Sequence, residues 1–183
     1  MDHIQELTVG QMTARIGAAL VVGALVGLER ERKRRPAGFR TMILVSVGSA
    51  AFMVASHQVI AQTAPESISH AEMSRVLQGL IGGIGFLGAG AVIQSKRAVR
   101  GMTTAATIWV TAALGAACGM GLFTLAAVVA GAALFTLIVL ELFEDKFFPD
   151  AEYSDEWDKE KQEKRSSPPK DAGDGGPEKL TGG

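Results

Sequence analysis

The first chemistry that the residue spacing suggests is phosphate binding, because Gly83, Gly85 and Gly88 form the pattern G-x-G-x-x-G. In a dinucleotide-binding loop such glycines follow a strand, open a helix and precede by about 20 residues a carboxylate that holds the ribose. Here they lie inside a long apolar segment, and residues 103–113 contain no Asp or Glu. We therefore expect no nucleotide site and no cofactor.

A second set of candidate residues is polar and flanks the apolar segments. Its members are Glu29, Arg30, Arg40, Thr41, Arg100, Thr103 and Thr104. A carboxylate at the end of a membrane helix needs a partner, so we expect Glu29 to pair with Arg40 or Arg100. The arginines of residues 32–35 have a simpler interpretation, which is that they fix orientation and contact anionic lipid head groups.

Threonines at positions 103, 107 and 111 recur every four residues and so share one face of a helix. This stripe either bonds neighbouring backbone or lines a path for a cation, with Thr107 and Thr111 inside it. Magnesium prefers oxygen ligands and one or two carboxylates, and no carboxylate lies within the apolar segments, so a metal site is not assigned. Because no nucleophile and base pairing or Cys/His metal spacing occurs, we expect no enzymatic activity.

Charge divides the 183-residue chain into two parts. Residues 1–140 hold 11 Lys and Arg against 6 Asp and Glu, whereas residues 141–183 hold 7 against 13. The total of −1 therefore conceals a basic, apolar body and an acidic tail, and it gives no reason to expect a nucleic-acid partner. We expect residues 149–183 to form a polar, disordered cytoplasmic tail, since they have too few apolar residues to bury a core.

The body of the chain is apolar enough to cross a membrane, and no Asp or Glu occurs between Glu72 and Glu141. Segments of about 20 apolar residues span a hydrocarbon core of about 30 Å. Five segments qualify, at about Gln11–Leu28, Thr41–Gln62, Val76–Gln94, Met102–Gly119 and Leu122–Leu140. The sequence thus predicts an all-α, polytopic membrane bundle of five transmembrane helices over residues 1–148.

Basic residues predict the orientation of this bundle. Nine Lys and Arg lie in the two short loops ERERKRRPAGFR and SKRAVRG, and only one lies in the connections on the opposite side. Since basic loops stay in the cytoplasm, we expect the N-terminus outside and the C-terminus inside the membrane.

Small residues predict how the helices pack. Helices in a bilayer approach closely through G-x-x-x-G pairs, which occur at Gly23/Gly27, Gly79/Gly83 and Gly115/Gly119. We therefore expect these three helices to pack tightly together. The glycines of the third segment are denser than one face requires, so an alternative is a locally unwound helix; on either view a Gly85→Leu change should prevent assembly. The positions in question are Gly23, Gly27, Gly79, Gly83, Gly85, Gly88 and Gly90.

Four blocks of sequence, in order, resemble the MgtC/SapB family of bacterial inner-membrane proteins. They are GALVGLERE (Gly23–Glu31), AGFRTMILVSVGSAAF (Ala37–Phe52), GGIGFLGAGAVI (Gly82–Ile93) and VRGMTTAATIWVTAALGAACGMG (Val99–Gly121). The resemblance implies five spanning helices with the same orientation, and it places the family's characteristic polar residues on the seven polar positions named above. Ala98, where pathogen-type members often have Asn, and the short polar tail both favour the shorter SapB-like branch.

The resemblance further implies a role in magnesium homeostasis and growth at low magnesium, with virulence in pathogen relatives. It implies regulation of other inner-membrane proteins, such as the F-type ATP synthase, rather than transport. Two hypotheses of other classes stand beside it: a magnesium or other cation transporter, and a scaffold whose acidic tail recruits a partner. Expected partners are membrane lipids, inner-membrane proteins, magnesium and a second copy of the chain.

Overall fold

The computed structural model describes residues 6–63, 66–95 and 98–140, and of residues 63, 66–70, 93–95, 98–100 and 140 it describes the backbone only. The described part contains five α-helices: α1 (Val9–Arg32), α2 (Phe39–Thr63), α3 (Glu66–Ala91), α4 (Met102–Met120) and α5 (Phe123–Phe135). A π-helical segment, Thr136–Leu140, extends α5. The predicted helical bundle is confirmed, and the predicted tail lies outside the described residues.

Three of these helices, α1, α2 and α4, are long and apolar enough to cross a membrane, with mean hydropathies of 1.6, 1.7 and 1.3 over their most apolar stretches. The apolar helix of Phe123–Val139 is shorter. The chain is therefore a helical membrane protein. Five crossings and the orientation of the termini stay predictions.

Helix α4 is the centre of the bundle. It contacts α1, α2, α3 and α5, and 61% of its apolar stretch is buried, against 17% in α1. Leu114 and Cys118 of α4 are enclosed together with Met42 and Met53 of α2. A small, apolar α4 thus sits where side chains from four other helices converge.

Glycines let α1 and α4 approach the backbone of α2. A Cβ built on Gly23 would lie 2.8 Å from Ser46 Cβ, and one on Gly27 would lie 2.8 Å from Phe39 Cα. On α4, a Cβ at Gly119 would lie 2.7 Å from the carbonyl oxygen of Ala50, and one at Gly115 would overlap the Ser46 carbonyl. Real Cβ atoms do not come so close, so these two G-x-x-x-G pairs serve close helix packing.

The glycines of α3 differ from the expectation. No described atom lies within 4 Å of a Cβ built on Gly79, Gly83, Gly85 or Gly90, and a Cβ at Gly88 would reach Ala105 only at 3.8 Å. Helix α3 also runs without interruption from Glu66 to Ala91, so the structure shows no unwinding there. The third predicted packing pair therefore makes no close contact within the described bundle, and a Cβ at Gly85 meets no described atom within 4 Å.

Two connections position α4. Strands β1 (Ile93–Ser95) and β2 (Ala98–Arg100) form an antiparallel hairpin that the sequence did not predict. Gly101 follows with φ of 89°, and a side chain there would collide with the carbonyl of Ala91. At the other end α4 closes in a glycine turn: Gly121, with φ of 81°, donates its N–H to the Cys118 carbonyl at 2.9 Å. Positive φ favours glycine at both ends.

Candidate functional site

The last turn of α1 carries two charged side chains into the bundle. Glu29 is 9% exposed and Arg30 is 3% exposed. Arg30 Nη2 donates a 2.8 Å hydrogen bond to Thr104 Oγ1, which lies in the first turn of α4 and is itself buried. Because a charge is costly to bury without a partner, this bond ties the end of α1 to the start of α4.

Lys33 connects the same region to α5. Its Nζ lies 3.3 Å from Glu29 Oε1, one helical turn earlier, and donates a 3.1 Å hydrogen bond to the carbonyl of Leu137. Leu137 lies in the π-helical segment, where the helical hydrogen-bond pattern changes and such segments frequently mark functional positions. We call Glu29, Arg30, Lys33 and Thr104 the Glu29 cluster; it joins α1, α4 and α5.

The second carboxylate oxygen of Glu29 takes no part in these contacts. Glu29 Oε2 is buried and has no hydrogen-bond partner among the described residues. The expected partner Arg40 is instead exposed, and of Arg100 only the backbone is described, in a strand paired with Ile93. The structure therefore pairs Glu29 with Lys33 rather than with Arg40.

The turn between α1 and α2 is held by a different carboxylate. Glu31 Oε2 accepts a 3.1 Å hydrogen bond from the N–H of Phe39, the first residue of α2, which is a favourable place for a negative charge. A side chain at Gly38 would overlap that carboxylate. Arg40 and Thr41 line an open depression of about 550 Å³ beside Glu31, apart from the Glu29 cluster.

The threonine stripe is engaged within the protein. Thr107 donates a 2.7 Å hydrogen bond to the Thr103 carbonyl on its own helix. Thr111 is fully buried and donates to Met42 Sδ at 3.4 Å. Thr103 is exposed, whereas its neighbour Thr104 serves the Glu29 cluster. The arrangement fits the packing interpretation of the stripe.

Several of the residues that make these contacts were not predicted from sequence. Lys33 could have been found, because Glu and Lys four positions apart in this order form a favourable helical pair. Ser46, which donates to the Ala19 carbonyl at 2.7 Å, gave no signal, since its partner lies on another helix. Leu137 could not have been identified either, because it accepts through its backbone carbonyl, which every residue has.

The amino-acid sequence of these elements matches a known family. The profile of the MgtC family matches residues 16–146, which include most of α1, all of α2 to α5 and the Glu29 cluster. The chain belongs to the MgtC family. Within this family it is 44% identical over 140 residues to protein SrpB of Synechococcus elongatus, a match that covers 72% of this chain and 74% of SrpB. The family predicted from the four sequence blocks is thus confirmed.

Relatives named protein MgtC match over a shorter stretch. The chain is 44% identical over 115 residues to protein MgtC of Brucella abortus and 42% identical over 106 residues to protein MgtC of Salmonella typhimurium. It spans less than half the length of these two proteins, 45% and 42% respectively. No solved structure matches the chain significantly.

Proposed function

We propose that this MgtC-family protein resides in the bacterial inner membrane and supports magnesium homeostasis and growth at low magnesium by regulating other membrane proteins. Family membership supports the general role. The observation that carries the regulatory mode is the Glu29 cluster, in which the 2.8 Å bond from Arg30 to Thr104 and the contacts of Lys33 hold three helix ends together.

Such a cluster gives the helix ends at the α1–α2 turn one fixed arrangement. Around it, Arg40 and Thr41 are exposed beside Glu31, so polar groups are presented to a partner on a scaffold that the cluster holds in place. Binding surfaces that are preorganised in this way lose less entropy when a partner docks. The buried cluster is the positioning part of this proposal and the exposed residues are the contacting part.

The alternative is a cation transporter that uses the threonine stripe. Thr111 is fully buried, so its hydroxyl oxygen is closed to a hydrated cation in this arrangement, which supports regulation over a path through the stripe. A direct assay is magnesium flux into proteoliposomes, comparing the native chain with Glu29→Gln and Thr107→Val. We expect no flux above that of empty liposomes; saturable flux abolished by either change would replace regulation with transport.

Regulation itself is tested by growth and by crosslinking. In a strain lacking the gene, we expect the native chain and Thr103→Val to restore growth at low magnesium and Thr104→Val to fail. A photoreactive amino acid at Arg40 or Thr41 should crosslink to a membrane protein, whereas the same group at Leu44, which is 72% exposed and apolar, should not. Equal growth of the two threonine variants, or identical crosslinks from all three positions, would contradict the proposal.

A further inference from the structure

Helices α1, α4 and α5 enclose an open groove of about 290 Å³. Its walls include Val26 of α1, Ala106 and Val110 of α4, and Val129 and Ala132 of α5. Ligand pockets in proteins begin at about 300 Å³, so the groove accommodates part of a molecule rather than a whole one.

The groove is mainly apolar, although Thr103, Thr107 and Thr136 also line it. Thr107 donates its hydroxyl proton to the Thr103 carbonyl at 2.7 Å, and Thr136 donates to the Ala132 carbonyl at 2.9 Å. A threonine bonded to its own helix offers no hydrogen to a ligand. Because α1 and α4 are membrane-spanning helices, the hydrocarbon that reaches such a groove is a lipid chain.

One end of the groove lies at the basic α1–α2 turn. Leu137 lines the groove, and its carbonyl accepts the hydrogen bond from Lys33 at 3.1 Å. Thr103 lines it too and precedes Thr104, which binds Arg30. Residues 29–40 contain six Lys and Arg against two Glu, and Arg32 and Arg34 are exposed. The apolar groove therefore ends beside an excess of positive charge.

We propose that this groove binds one acyl chain of an anionic phospholipid, whose phosphate lies at the basic turn after α1. The groove takes the chain, and the charge of the turn selects the head group, since basic residues near a membrane surface attract anionic lipids. The occupied leaflet is the one on the side of the α1–α2 turn. This site is separate from the depression at Arg40 and Thr41 that the regulatory proposal uses.

The test is photocrosslinking of the full chain in nanodiscs that contain phosphatidylglycerol with a diazirine in its acyl chain. After irradiation, peptide mass spectrometry should find adducts on Ala106, Val110 and Ala132. Unlabelled phosphatidylglycerol should compete about fivefold more effectively than phosphatidylcholine, the ratio that one basic residue contributes at an anionic surface. This competition uses the native chain and so does not depend on a variant that folds.

Two pairs of variants test the contributions of the groove and of the basic turn separately. Ala132→Phe places a ring in the groove and should abolish the adducts, whereas Ala127→Phe, at another exposed alanine of α5 outside the groove, should keep them. Arg32→Gln, at an exposed residue outside the Glu29 cluster, should reduce the preference for phosphatidylglycerol, and Arg32→Lys should retain it.

Three results would overturn the inference. Adducts spread evenly over the bundle, including Phe86 of α3, which is 81% exposed, would indicate ordinary surrounding lipid. Equal competition by phosphatidylcholine would show that the turn does not select the head group. An absence of adducts at the groove residues, in protein shown to be folded, would show that no lipid chain occupies the groove.

Discussion

Gly23 of α1 and Gly115 of α4 lie against the same residue of α2, Ser46. A Cβ at Gly23 would be 2.8 Å from the Ser46 Cβ, and one at Gly115 would overlap the Ser46 backbone. The Ser46 hydroxyl in turn donates to the Ala19 carbonyl at 2.7 Å. Three helix backbones therefore meet at one residue, and the smallness of two glycines is what allows it.

Gly115→Ala should destabilise the protein, because the new methyl group has no space beside the Ser46 carbonyl. We expect a loss of about 1–3 kcal/mol in the free energy of unfolding, the usual cost of overpacking, measured by thermal unfolding in detergent. The control is Gly131→Ala on α5, where no described atom lies within 4 Å of the added Cβ. Equal stability of the two variants would show that α2 and α4 do not pack through Gly115.

Thr104→Val should remove the acceptor of the buried Arg30 side chain while keeping the volume of the residue. Leaving a buried donor without its acceptor costs about 1–3 kcal/mol, so the unfolding temperature should fall. Thr103→Val is the matched control, since Thr103 is the preceding residue and is exposed. A similar fall in both variants would indicate an effect of the helix terminus rather than of the Arg30 bond.

Glu29 and Lys33 should show measurable coupling in a double-mutant cycle that uses Glu29→Gln and Lys33→Met. The carboxylate of Glu29 is 8% exposed and the Lys33 side chain 29% exposed, so water screens this pair less than it screens surface pairs. The control is the pair Glu72 and Arg75 on α3, whose side chains are 37% and 73% exposed. We expect the coupling free energy to be larger for Glu29 and Lys33; the reverse order would remove the ion pair from the proposed positioning role.

Gly85→Leu should leave the folded chain intact, in contrast to the prediction from sequence. No described atom lies within 4 Å of a Cβ at this position, and substitutions at such positions usually change stability by at most about 0.5 kcal/mol. Gly27→Leu should unfold the bundle, because its side chain would meet the backbone of Phe39. Size-exclusion chromatography and thermal unfolding of the two variants test this prediction. A Gly85→Leu variant as unstable as Gly27→Leu would contradict it.

Local sequence predicts part of this architecture and misses part of it for physical reasons. The spacing of Gly23/Gly27 and Gly115/Gly119 identifies faces that pack closely, since only small residues permit such contact. The same spacing at Gly79/Gly83 cannot say whether the face is used within the chain, because that depends on the position of α3 relative to its neighbours. Sequence shows that a helix can be approached, and tertiary structure shows which helix approaches it.

The contacts of the candidate site likewise include some that the sequence predicts and some that only the tertiary structure shows. The tendency of Glu29 to find a partner is readable from sequence, and Lys33, four residues later, lies on the same helical face. The bond between Arg30 and Thr104 joins residues 74 positions apart, and it requires the relative heights of α1 and α4, which no local pattern encodes. The hairpin at Ile93–Arg100 was missed because each strand has only three residues.

Backbone contact without intervening side chains also limits how this protein can move. Where Gly23, Gly27, Gly115 and Gly119 lie against α2, there are no flexible rotamers to absorb a small displacement, so α1, α2 and α4 shift as one body. Helix α3 has no such contact through its glycines, and the end of α5 is linked to α1 through Lys33 and Leu137. A displacement at the α1–α2 turn would therefore move α1, α2 and α4 together, and α3 is the helix that is not fixed to them through glycine contacts.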